Sequence, residues 1–110
     1  MSAKPLVTRG SAQDDVEGAI THYAREASLQ VALNFVDTLE DTFASIARHP
    51  GAGSPRYGPE LNLPGLRHRA LKRFPYLVFY VERPDQIDVW RVLHAQRDIP
   101  ERLRDQGGDS

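Results

Sequence analysis

Apolar residues recur at helical spacing in the first half of the chain and at a spacing of two after Gly65, so a helical layer is expected to precede a sheet. Ahead of the helices, Pro5–Arg9 is short, partly β-branched and led by proline, which predicts a first strand at a sheet edge. Gly10-Ser11 stops it. Ser11 followed by Asp14 is a capping-box-like start, and Val16, Ile20, Tyr23 and Ala27 then share one helical face. Ser28 is placed to cap a second helix, in which Ala32, Phe35, Val36, Leu39, Phe43, Ile46 and Ala47 keep the helical period. Arg48-His49 suits the negative end of that helix, and Pro50-Gly51 ends it. Almost nothing separates the two helices, so they are expected to fold back as an antiparallel hairpin.

The segment from Pro50 to Gly65 holds four Gly and four Pro, half of the chain's sixteen. Little regular structure is expected there, yet it is long for a connector, so it is either functional or a crossing from helices to sheet. Tyr57 reads as its packing anchor. Leu66–Phe74 predicts a strand rich in basic residues. Tyr76–Val81 is nearly all apolar, as suits a central strand covered on both faces. Arg83-Pro84-Asp85-Gln86 is a turn, and in Ile87–His94 the residues Ile87, Val89, Arg91 and Leu93 alternate with Asp88, Trp90, Val92 and His94. Phe74-Pro75 is a short join, which makes the last three strands an antiparallel meander. Ile99–Arg104 predicts one or two helical turns, and Gln106–Ser110 a frayed end. The order β-α-α-β-β-β gives an α+β domain with a helical hairpin packed on a small, mainly antiparallel sheet.

Length adds that there is one domain. The 110 residues, 40% of them apolar, fill one core, taken as 1–110 with its packed part at about 5–104 and a tail at 105–110. With no cysteine there is no disulfide framework and no thiolate metal site. The chain opens on no apolar stretch of signal-peptide length, and no run approaches the roughly 18 apolar residues of a membrane span. A cytoplasmic protein with no membrane partner is the expectation.

Charge changes the picture more. The formal net charge is −1, but residues 1–50 hold four Lys/Arg against seven Asp/Glu, and residues 51–110 hold ten against eight. Arg67, Arg69, Lys72 and Arg73, with His68 among them, concentrate the positive charge. Such a patch suits phosphates or an acidic protein segment; it also suits a solvated strand edge. No metal-ligand spacing joins His22, His49, His68 and His94, no Gly-rich phosphate loop or nucleophile elbow is present, and no cofactor or metal is expected. One arrangement remains: His94 and Arg97 close the last strand, and Arg67, His68 and Arg69 lie on the strand before the central one. A histidine beside several arginines suits metal-free RNA cleavage or the binding of an acidic helix, and His94 by itself also suits a hydrogen-bonded strand end.

The helical positions from Tyr23 through Phe35 to Phe43, then His49-Pro50, Leu66-Arg67, Pro75–Tyr80 and Arg91-Val92-Leu93-His94-Ala95-Gln96-Arg97-Asp98, resemble the RelE/ParE toxin superfamily over about residues 5–104. The R-V-L-H-x-x-R-D stretch after an F-Y-V strand looks like the ParE branch of plasmid-stabilisation toxins. The resemblance implies a toxin of a type II toxin–antitoxin pair, neutralised by a ParD-like antitoxin whose disordered tail folds on it. RelE-type members cut ribosome-bound mRNA with basic residues on the second strand, an Arg soon after the aromatic that starts the third, and usually a Tyr or His near the C-terminus. ParE-type members lack that set and poison DNA gyrase. Here Leu77 follows Tyr76 and no Tyr follows Tyr80, which favours the gyrase branch. The alternative is a ribonuclease using His94, Arg67, Arg69 and Arg97, and a third reading is an inert relative that only binds its partner. Arg67, Arg69, Lys72, Arg73 and Arg97 are the expected antitoxin- or target-binding residues.

Overall fold

A computed structural model describes residues 3–96 of the chain. Strand β1 (Leu6–Thr8) lies at a sheet edge, as the proline before it suggests, and runs parallel to the last strand with Leu6 opposite Ile87. Helix α1 (Gly10–Glu26) starts directly after it, so Ser11 falls inside the first turn instead of capping it. The reason is that Arg9 serves both elements. Its amide donates to Val89 O at 3.0 Å as the end of the strand, and its carbonyl accepts from the Gln13 amide as the start of the helix. The face of α1 expected from Val16, Ile20 and Tyr23 packs on the core, with Ala12 and Ala19 as its fully covered members; Ala27 is instead the exposed cap.

Helix α2 (Leu29–Arg48) begins as expected, with the Ser28 hydroxyl accepting from the Val31 amide at 3.1 Å. Such a cap contributes about 1 kcal/mol. Phe35, Leu39 and Ile46 are buried along one face against Tyr76, Val78 and Tyr80 of the sheet. Strands β2 (Leu66–Ala70), β3 (Tyr76–Glu82) and β4 (Ile87–His94) form the antiparallel meander, giving the sheet order β1-β4-β3-β2.

Two expectations about the sheet need correction. β2 ends at Ala70, not at Phe74: the Leu71 amide bonds Tyr76 O at 3.0 Å, and Arg73 takes a left-handed φ of 67° to close the reversal. Lys72 and Arg73 therefore belong to the β2–β3 turn. In β4 the strict alternation breaks, because the pairing with β3 shifts between Phe79 and Tyr80: Tyr80 faces Val89 while Phe79 faces Arg91, leaving Trp90 as an extra residue. Ile87, Val89 and Val92 thus join the core under the helices, and Trp90 and Leu93 join the opposite face. The bulge also leaves the Val92 amide to a side chain, Asp15 Oδ2 of α1 at 3.0 Å.

The central strand is covered on both sides, as its apolar run predicts. The Gly- and Pro-rich segment provides the second cover: Tyr57, Leu61 and Leu63 pack against Leu66, Phe79, Val81, Trp90 and Leu93. It carries more regular structure than expected, a 3-10 turn at Pro50–Ala52 and a short helix α3 at Tyr57–Glu60. Proline within the first turn of a helix forfeits no intrahelical hydrogen bond, and Pro50 and Pro59 both stand there. On the same face Asp88 gathers Arg9, Arg83 and the Trp90 indole N–H at 3.1–3.2 Å. Burial raises the Asp88 pKa, but the hydrogen bonds from Arg9 and Arg83 outweigh it and hold the carboxyl below its ordinary value.

No helix among the described residues is long and apolar enough to cross a membrane. The expected helical turns at 99–104 and the tail at 105–110 lie outside the described residues, as does Arg97.

Candidate functional site

Strand β2 alternates its faces, so Arg67 and Arg69, opposite Tyr80 and Val78, point to the helical side, and His68, opposite Phe79, points to the other. Arg67 Nη1 donates to Gly53 O at 2.8 Å, and Arg69 Nη2 to Ser45 Oγ of α2 at 2.8 Å. Tyr80, wholly buried, lies with them and donates its hydroxyl to Pro50 O at 2.6 Å. Burial pushes the Tyr80 pKa up, and the nearby Arg69 and Arg67 charges only partly oppose this, so the phenol stays protonated and remains a donor. Both arginines are thus built into the joint between the end of α2, the 50–53 turn and β2.

Beyond that joint an open groove of roughly 550 Å³ runs between the C-terminal half of α2 and the β2–β3 turn. Arg69 lines it together with Lys72 and Arg73, so three of the four residues of the expected basic cluster converge there, and Arg67 stands behind them. Arg48 and Ser45 of α2 join the lining, which local sequence could not reveal because they lie a whole loop away. Arg69 Nη1 is buried with no acceptor. A buried donor left unpaired costs about 1–3 kcal/mol, more when charged.

Among the described residues, His94 does not meet Arg67 or Arg69. His94 pairs with Tyr76 across β3–β4, its ring 5.3 Å from the Tyr76 ring, and its Nδ1 accepts from the Gln96 amide at 3.2 Å. Arg69 is two strands across and two residues along from it, roughly 10 Å and 7 Å respectively. The hydrogen bond from Gln96 ties the residues that follow β4 to the last side chain of the strand.

His68 has a separate, structural place. Its ring lies between Tyr57 (5.4 Å) and Phe79 (5.5 Å), and its backbone pairs with Ser54 on the outer edge of β2. It therefore fastens the 50–65 cover, with Tyr57 the anchor its sequence position suggested. Burial, and secondarily the Arg56 charge, lower the His68 pKa from 6.5. The fold favours the neutral ring, so the associated stability is complete above about pH 6.5 and is lost as pH falls through the folded-state value. Urea midpoints measured from about pH 7 to pH 5 should decline, and His68→Phe should flatten that decline. Parallel profiles for the two proteins would show that this ring is not the group responsible.

A further link escaped the sequence. Asp15 of α1 holds Arg91 through two 2.7 Å contacts, both side chains being 14% exposed. The arginine that opens the R-V-L-H stretch thus ties the last strand to the first helix.

Residues 6–99 match the family described as ParE toxin of type II toxin–antitoxin system, parDE. A solved structure of the chromosomal ParDE TA system from P. aeruginosa contains a similar chain: TM-score 0.72, 21% identity, covering 86% of this chain and 98% of that one. At that identity the likeness speaks for the fold. No curated protein matches the chain.

Proposed function

The chain belongs to the ParE toxin family of type II toxin–antitoxin systems, and from that membership we propose that it inhibits DNA gyrase without hydrolytic chemistry of its own and is neutralised by a cognate, ParD-like antitoxin. The observation that carries the reading is the family match over almost the whole described chain. It is supported by the separation of His94 from Arg67 and Arg69, and by the burial of Tyr80, the phenol beside those cations, whose proton is held on Pro50 O. Such a toxin works in the cytoplasm, where its target is. The antitoxin tail would fold on the helical hairpin, where Leu29 and Leu33 are 69% and 50% exposed and offer apolar anchors. Its acidic residues would meet Lys72 and Arg73, and such rim pairs act mainly on the association rate.

The test is purified toxin with gyrase and supercoiled plasmid. Loss of supercoiling with trapped linear DNA is expected, and His94→Ala should inhibit as well as the parent. Unimpaired supercoiling at micromolar toxin would remove the reading. Cleavage of ribosome-bound mRNA that falls by about 100-fold or more in His94→Ala would replace it with the ribonuclease.

A further inference from the structure

We propose that the groove between α2 and the β2–β3 turn is a phosphate-binding site that receives the backbone of a DNA strand. Four cations, Arg48, Arg69, Lys72 and Arg73, line it against the single carboxylate of Asp41. Among the described residues none of the four forms an ion pair; the pairs that exist join Lys4, Arg9, Arg83 and Arg91 to acids elsewhere. Positive charge is therefore in clear excess in one concave place, which raises the local concentration of anions.

The floor of the groove points the same way. Arg69 is oriented by Ser45 through one nitrogen, while the other, Nη1, is buried and has no acceptor. Ser45 accepts that bond and keeps its own O–H to donate. A helix-end effect accounts for Arg48, at the last turn of α2, but for none of the other three cations. Lys72 and Arg73 are held at the rim by a turn closed with a left-handed Arg73, a conformation that a non-glycine residue keeps only when its surroundings require it.

The donor set discriminates between anions. A tetrahedral phosphate presents oxygens in several directions and accepts from a floor guanidinium, a hydroxyl and rim cations together; a planar carboxylate engages one fork. Successive phosphates of a strand also balance several cations at once. The choice of DNA rests on the gyrase reading: gyrase holds DNA, and the groove is assigned to that strand on the strength of its charge. The cluster that sequence offered to phosphates or to an acidic segment is thereby assigned to phosphates at its floor, with an antitoxin tail competing for its rim.

The test uses the isolated toxin, isotope-labelled for NMR, titrated with inorganic phosphate, with a short single-stranded oligodeoxynucleotide and with a glutamate-rich peptide. Phosphate and oligonucleotide should shift the signals of Ser45, Arg69, Lys72 and Arg73, the oligonucleotide more tightly and with marked salt dependence. The exposed double variant Lys72→Gln/Arg73→Gln should weaken oligonucleotide binding about tenfold and lower the salt slope by about 1.4 units. Absence of phosphate and oligonucleotide shifts at these residues, unchanged affinity in the double variant, or tighter binding of the peptide would each overturn the proposal. A toxin that inhibits gyrase but fails here keeps the gyrase reading and loses the groove; one that binds the oligonucleotide but spares gyrase does the reverse.

Discussion

Asp15→Asn is expected to lower the unfolding free energy by about 3 kcal/mol, the cost of removing one partner from a largely buried ion pair. The change keeps the side chain's size, removes the charge facing Arg91 Nε and Nη2, and weakens the acceptor of the Val92 amide that the bulge leaves out of the ladder. In a domain of this size the melting temperature should fall by more than about 10 °C. Replacing both partners with apolar residues, Asp15→Leu/Arg91→Met, should recover part of the loss, because an ion pair of this burial is replaceable but not divisible. A single variant melting within about 2 °C of the parent would contradict this account of the pair.

Gly53→Ala should cost about 2–3 kcal/mol, toward the upper end of overpacking. The backbone there is ordinary, with φ −70° and ψ 154°, so space and not conformation makes glycine necessary. An added Cβ would overlap Tyr80 Oη and lie 3.1 Å from His68 O. Neither neighbour can retreat: Tyr80 is buried with its hydroxyl fixed on Pro50 O, and His68 O is held in the bridge to Ser54. The turn would have to lift, taking with it the Gly53 carbonyl that Arg67 uses. Tyr80→Phe removes the overlapping atom, so the double variant Gly53→Ala/Tyr80→Phe should be less destabilised than the sum of the two single changes, a coupling of at least about 0.5 kcal/mol. Strict additivity of unfolding free energies from urea titration would show that the overlap is not the cause.

Local patterns were legible in most places, the exception being the capping box read at Ser11, which Arg9 displaced as the helix start. Ser28 caps α2, the apolar face from Ala32 to Ile46 is the buried one, β3 is two-sided, and Ile87–His94 is a strand with those limits. What escaped depends on distant partners. The end of β2 at Ala70 follows from the Leu71–Tyr76 closure, and the bulge at Trp90 from the register with β3. A Gly- and Pro-rich segment that looks structureless covers a sheet face because Tyr57, Leu61 and Leu63 find Phe79 and Leu93 across the fold. The basic cluster was visible as a run of charges, but its division into a built-in Arg67 and groove-lining Arg69, Lys72 and Arg73 required the α2 residues that complete the groove.

Pairing of β1 with β4, Leu6 beside Ile87, has a consequence for synthesis. The first strand to leave the ribosome finds its neighbour only when nearly the whole chain has been made, and Asp15 likewise waits for Arg91. Contacts so far apart in sequence form slowly, and the exit tunnel withholds the last strand after its codons are read. At roughly 5–20 residues per second the nascent polypeptide spends several seconds without a closed sheet. The sheet of the toxin thus closes only after its last strand has left the ribosome, and that delay is time in which an antitoxin already present can meet it.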